Sequence, residues 1–138
     1  MIRLLPLGPG SELPAWIEAL DGSVFNQAWG PLSDHERIWV VEGEAYARWS
    51  VVPAAAEAEL LRIAVAPSTR RKGLARELLR ACEAALHAQG IHSLRLEVRM
   101  SNDAARCLYE AEGWRLEGLR PRYYRDGEDA VLYGKELE

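Results

Sequence analysis

Val65-Ala66-Pro67-Ser68-Thr69-Arg70-Arg71-Lys72-Gly73-Leu74-Ala75 joins the end of a β-rich run to the start of a helical one, and its reading decides the fold. Upstream, Leu60 to Val65 reads as a strand stopped by Pro67. Downstream, Ala75, Leu78, Leu79, Cys82 and Leu86 recur at helical spacing, with Arg76, Glu77, Arg80, Glu83 and His87 on the other face, until Gly90 ends the helix. Leu94, Leu96 and Val98 then alternate with Arg95, Glu97 and Arg99, a strand with two unlike faces. A strand–helix–strand unit therefore occupies the middle of the chain. The helix start carries unpaired N–H groups and about half a positive charge. A glycine there lets a phosphate approach the backbone without meeting a Cβ, and Arg70, Arg71 and Lys72 add charge, so the chemistry implied is pyrophosphate binding. The phosphate motifs G-x-x-x-x-G-K-[ST] and G-x-G-x-x-G are both absent. A basic, solvated helix start fits the same residues.

Working outward, Asn102 caps a short helix that Gly113 ends, and Trp114 to Arg125 and Asp129 to Leu137 read as strands flanking an Asp126-Gly127 turn. Towards the N-terminus, Arg37 to Glu42 and Glu44 to Val52 read as strands around a Gly43 turn. Residues 23–36 read as irregular, with Phe25 and Trp29 as apolar anchors, and Ser11 caps a helix that Asp21-Gly22 ends near Leu20. Ile2 to Leu7 fits an edge strand. Strands outnumber helices, so the fold class is α/β in the mixed α+β sense, in one domain over residues 1–138.

The 138 residues, 49% hydrophobic and 28% charged, can bury a core without disulfide or metal support. The net charge of −4 excludes a general nucleic-acid coat. From Arg70 to Arg99, seven basic residues face three acidic ones, a local positive site inside a negative chain. No apolar run approaches the ~20 residues of a membrane span, and the N-terminus lacks a signal-peptide pattern. Cys82 and Cys107 form no C-x-x-C or zinc spacing, and neither sits in a nucleophile motif. The chain reads as cytoplasmic, with no membrane, nucleic-acid or metal partner.

Arg70-Arg71-Lys72-Gly73-Leu74-Ala75 resembles the R/Q-x-x-G-x-G/A signature of the GNAT N-acetyltransferases. Leu96-Glu97-Val98-Arg99-Met100-Ser101-Asn102, with Ala105, Leu108-Tyr109 and Gly113-Trp114, is similar to that family's next block. Tyr123-Tyr124-Arg125-Asp126-Gly127-Glu128-Asp129-Ala130 resembles the C-terminal block of its RimI-like branch, the ribosomal-protein-alanine N-acetyltransferases and related N-terminal acetyltransferases. The resemblance runs from about Leu60 to the end. It implies a mostly antiparallel central sheet flanked by helices, with a parallel pair splayed at an acetyl-CoA site.

By the same resemblance, Ile63, Ala64 and Val65 contact the pantetheine arm. Arg70, Arg71, Lys72, Gly73, Leu74, Ala75 and Arg76 hold the pyrophosphate, and Asn102 also touches the cofactor. Glu97 is implied as general base and Tyr109 as general acid, with Trp29 and Tyr124 at the acceptor. By residue pattern alone, a solvated charge ladder with Arg95 and Arg99 is the commoner explanation of Glu97. Those arginines would favour its ionised form, which points to a water-mediated role. Tyr109 fits core packing as well as proton donation, and Tyr123-Tyr124 fit alternation across a strand. The sequence departs from the branch at Arg62, where asparagine is common, and at Ala75, where glycine is. Its early segment Phe25-Asn26-Gln27-Ala28-Trp29-Gly30 only echoes the branch's F-x-P-W-S pattern. The expected reaction is direct acetyl transfer from acetyl-CoA to a primary amine, foremost the N-terminal α-amine of a protein. Two alternatives stay open: a small-molecule amine as acceptor, and a non-catalytic acyl-CoA-binding module.

Overall fold

Alternating apolar positions build seven strands into one sheet in the computed structural model, which describes residues 5–8, 11–25, 32–70 and 73–138. The strands are β1 (Leu5–Leu7), β2 (Glu36–Val41), β3 (Ala45–Val52), β4 (Glu57–Val65), β5 (Ser93–Arg99), β6 (Arg115–Arg120) and β7 (Ala130–Glu136). The helices are α1 (Ala15–Phe25), α2 (Leu74–Ala88) and α3 (Asp103–Ala111). Spatial order is β1-β2-β3-β4-β5-β7-β6, and every neighbouring pair is antiparallel except β4 and β5. A parallel pair needs a long crossover, and α2 supplies it.

The two faces of the sheet have separate cores. Leu78, Leu79, Cys82 and Leu86 of α2 and Tyr109 of α3 pack with Trp49, Leu60, Leu94, Leu96 and Val98. Ile17 and Leu20 of α1 pack on the opposite face with Ile38, Val40, Tyr46 and Ala64. Each fully buried leucine contributes roughly 1.5–3 kcal/mol, so α2 is anchored mainly by its apolar stripe.

The decisive irregularity is a bulge in β4. Trp49 pairs with Leu60 and Arg48 with Arg62, so Leu61 is an extra residue without an opposite number. Before it, Ala58 and Leu60 face the α2 core; after it, Ile63 and Val65 do, and Ala64 joins the α1 core. One inserted residue has reversed the odd–even rule and bent the strand. The parallel pairing with β5 ends at the same place, its last partners being Leu60 and Leu96. Beyond that point β4 and β5 separate.

Several boundaries differ from the sequence reading. Helix α1 runs through Asp21-Gly22 to Phe25, and Ser11 lies outside it. Asp21 is 5% exposed and accepts hydrogen bonds from Tyr46 and from Arg62 Nη1 (2.9 Å), so tertiary contacts carry the helix past its local stop signal. Strand β4 begins at Glu57 rather than Leu60. The strand expected to reach Arg125 ends at Arg120, and Tyr123-Tyr124 lie in a loop. Arg122 takes a left-handed φ of 51°, its N–H bonds Asp129 Oδ1 (2.9 Å), and the Gly127 N–H bonds the Tyr124 carbonyl (2.9 Å). These folded contacts replace a ladder.

Candidate active site

The fork between β4 and β5 opens into two cavities. One, of about 630 Å³, is lined by Ile63, Ala64, Val65, Arg70, Gly73, Leu74, Ala75, Arg76 and Asn102. These are all the sequence-derived cofactor residues except Arg71 and Lys72, which lie outside the described residues. The second, about 620 Å³, gathers Glu97, Tyr109 and Tyr124 with Arg62 and Arg99. Ile63, Asn102 and Ala105 line both, so the two spaces meet at the fork. Trp29 lies outside the described residues.

The first cavity suits an extended arm ending in phosphates. Past the bulge, Ile63–Val65 has no strand partner on its β5 side among the described residues, and the N-terminus of α2 opens onto the same space. Gly73 is the N-cap of α2 at φ 75°, a conformation glycine adopts without steric cost. Beyond its chain neighbours, a Cβ added there would meet no atom of the described residues within 4 Å, so the glycine keeps this side of the helix start bare. Arg70 Nε bonds the Val65 carbonyl (3.1 Å), and Arg76 Nε rests 3.3 Å from Glu112. Asn102 caps α3, its Oδ1 accepting from the Ala105 N–H at 3.2 Å.

In the second cavity the two candidate reacting groups come from opposite faces of the sheet. Tyr109 stands on the α2–α3 side, 5% exposed, with Trp114 and Tyr133 rings 5.9 and 6.2 Å away. Burial pushes its phenol up to about 12, so it stays protonated over any working pH. Glu97 stands on the other side, 19% exposed, 3.3 Å from Arg120 Nε. The expected ladder with Arg95 and Arg99 does not form. Arg95 approaches Glu57 (3.8 Å), and Arg99 binds Asp126 (2.8 Å) and Glu128 (2.9 Å). The charge of nearby Glu97 raises the Tyr123 phenol above its usual range. Arg62 lines this cavity and is tied to Asp21 of α1.

Arg120 and Tyr123 were not singled out from the sequence as neighbours of Glu97. Tyr123 had a signal in the Tyr-Tyr pair; Arg120 had none, because its position depends on the β6–β7 register. The cysteines lie away from this chemistry: burial pushes the Cys82 thiol up to about 12, and Cys107 is exposed. Among the described residues no three His, Cys, Asp or Glu side chains are placed to hold a metal ion, and no helix is long and apolar enough to cross a membrane.

A forked parallel pair with a bare helix start beside it defines a class, and the family comparison agrees. Residues 10–114 match the acetyltransferase (GNAT) family model, and the chain belongs to that family. Among individual proteins, it is 46% identical over 79 residues to the [ribosomal protein bS18]-alanine N-acetyltransferase of Escherichia coli, an alignment covering 55% of this chain and 53% of that one. The chain thus spans about half the length of the curated relatives it matches. The crystal structure of the ribosomal-protein-S18-alanine N-acetyltransferase from Escherichia coli superposes with TM-score 0.70 at 30% identity, over 99% of this chain and 95% of that one. An Elizabethkingia anophelis GNAT family acetyltransferase with acetyl-CoA bound shares the fold, with TM-score 0.78 at 17% identity over 98% and 97% of the two chains.

Proposed function

We propose that this chain is an acetyl-CoA-dependent N-acetyltransferase that moves acetyl directly to the N-terminal α-amine of a protein, such as a ribosomal protein. Residues 1–138 are taken as one domain working in the cytoplasm. The observation that carries the reading is the meeting of the two cavities at Ile63, Asn102 and Ala105, with Glu97 and Tyr109 on opposite walls of the second. The relatives' names supply the acceptor class.

Acetyl-CoA supplies the activated acyl thioester. In this reading the β5-facing edge of Ile63–Val65 holds its arm. The start of α2, with Gly73 bare and Arg70 and Arg76 beside the same cavity, holds its phosphates together with Arg71 and Lys72, which precede it in the sequence. An α-amine has a pKa of ~7.7–8.0, so a modest base suffices. Glu97, already engaged by Arg120, takes the amine's proton through a water, while Tyr124 walls the acceptor. The amine lone pair attacks the thioester carbonyl and the C–S bond breaks. Tyr109, still protonated, donates a hydrogen bond to the sulfur as its charge grows. Handing the proton over entirely is uphill, since a thiol has a pKa of ~8.5 and the buried phenol one of about 12. The thiolate therefore leaves hydrogen-bonded and picks up its proton from water, and the nitrogen's lost proton balances it.

The test is incubation with acetyl-CoA and peptides beginning with free Ala, Ser, Met or Asp, alongside a panel of polyamines, reading thiol release and the mass of each product. Acetylation of at least one peptide at its α-amine is expected. Turnover confined to polyamines would overturn the acceptor class, and cofactor binding without turnover on any amine would overturn the activity.

A further inference from the structure

The loop between β6 and β7, residues 121–129, carries Tyr124, which lines the acceptor cavity, and one side chain of β5 fastens it. Arg99 Nη1 donates to Asp126 Oδ2 (2.8 Å) and to Glu128 Oε1 (2.9 Å). Its guanidinium also lies 4.1 Å from the centre of the Tyr124 ring. The second oxygen of Glu128 accepts the Ser101 N–H at 2.8 Å, so this one carboxylate bridges the loop to the end of β5 twice. The Glu128 carbonyl accepts the Tyr124 N–H at 3.1 Å, which links the fastening to the aromatic pair. Tyr123 packs edge-on to Tyr124 at 5.1 Å.

We propose that Arg99 is a positioning residue for the acceptor: by docking the 121–129 loop it fixes Tyr124 as a cavity wall. This rests on reading the second cavity as the acceptor site. A planar guanidinium can bond two carboxylates while its face stacks on a ring, whereas an ammonium has no plane to stack. Arg99 is 42% exposed, and it lines the second cavity but not the first, so it belongs to acceptor capture rather than cofactor binding.

The experiment compares wild type with Arg99→Gln, Arg99→Lys, Glu128→Gln and the Arg99→Gln/Glu128→Gln double variant. The readouts are steady-state kinetics on an acetylated peptide, acetyl-CoA affinity by calorimetry, and hydrogen exchange of the Ser101 and Tyr124 amides. Arg99→Gln is expected to raise the acceptor KM by about tenfold, the scale of one lost charge-assisted hydrogen bond, with a smaller effect on kcat and acetyl-CoA affinity unchanged. Both amides should exchange faster. Arg99→Lys should recover part of the KM, and the double variant should be no worse than Arg99→Gln alone, because the two groups act as one unit. Unchanged amide exchange in Arg99→Gln overturns the docking. Faster exchange with an unchanged acceptor KM, or a loss seen equally in acetyl-CoA affinity, overturns the positioning role. A wild-type protein that acetylates no amine would refute the functional reading instead, and the exchange measurement would still decide whether Arg99 holds the loop.

Discussion

Replacing Tyr109 by Phe keeps the ring that packs on Trp114 and Tyr133 and removes only the hydroxyl. Two consequences can be worked out separately. If the hydroxyl steadies charge on the departing sulfur, its loss should slow turnover ~10²–10³-fold, the cost of removing one preorganised donor, with acetyl-CoA affinity nearly intact. The second consequence concerns stability and does not depend on any acceptor. A phenol raised from 10.0 to about 12 in the fold binds its proton more tightly there than in the unfolded chain. Its contribution is fully present below pH 10 and is lost as pH rises towards 12. At ~1.36 kcal/mol per pH unit the full loss is on the order of 2–3 kcal/mol. Tyr109→Phe cannot ionise, so it should match wild type at pH 8 within ~1 kcal/mol and exceed it at pH 11.5. Urea unfolding at the two pH values, with thiol release at saturating acetyl-CoA, measures both effects. Turnover within threefold of wild type removes Tyr109 from the reaction, and parallel alkaline stability curves refute the buried-phenol argument.

Other expectations follow from the same geometry. Gly73→Asn, whose residue tolerates a left-handed φ, should remain folded yet bind acetyl-CoA more weakly in calorimetry. Gly73→Val should in addition lose stability, because a β-branched residue is strained at φ 75°. Arg48 and Glu36 form a buried pair at 2.6 Å, with side chains 3% and 9% exposed, so Arg48→Ala should cost ~3–5 kcal/mol in denaturant unfolding. Glu97→Gln should lower kcat/KM ~10²-fold at pH 7, and less at pH 9, where a free α-amine is already neutral.

The second half of the chain was the more legible because its signals are local. Asn102 and Gly113 mark α3 by capping chemistry, and the alternation from Leu94 to Arg99 needs no partner to be read. The cofactor residues were legible as a motif at a strand–helix junction. Hidden features were those set by register or by distant contacts. Leu61 looks like any strand residue until Trp49 and Arg48 show it to be extra. Asp21-Gly22 reads as a stop until Tyr46 and Arg62 bind the aspartate. The true neighbour of Glu97, Arg120, arrives from a strand two places away in the sheet, which no spacing within β5 could reveal.

Leu61 also makes the fork a removable part. The residues on either side of it keep strict alternation if it is taken out: Leu60 towards α2, Arg62 towards α1, Ile63 towards α2, Ala64 towards α1. A chain lacking that single leucine would therefore keep every side chain on its present face while losing the bend that drives β4 from β5. Its two strands could zip together to their ends, recovering ladder bonds that the present protein forgoes. The result would be a sounder sheet with no mouth, so the opening on which the chemistry depends is a one-residue surcharge on an otherwise ordinary scaffold.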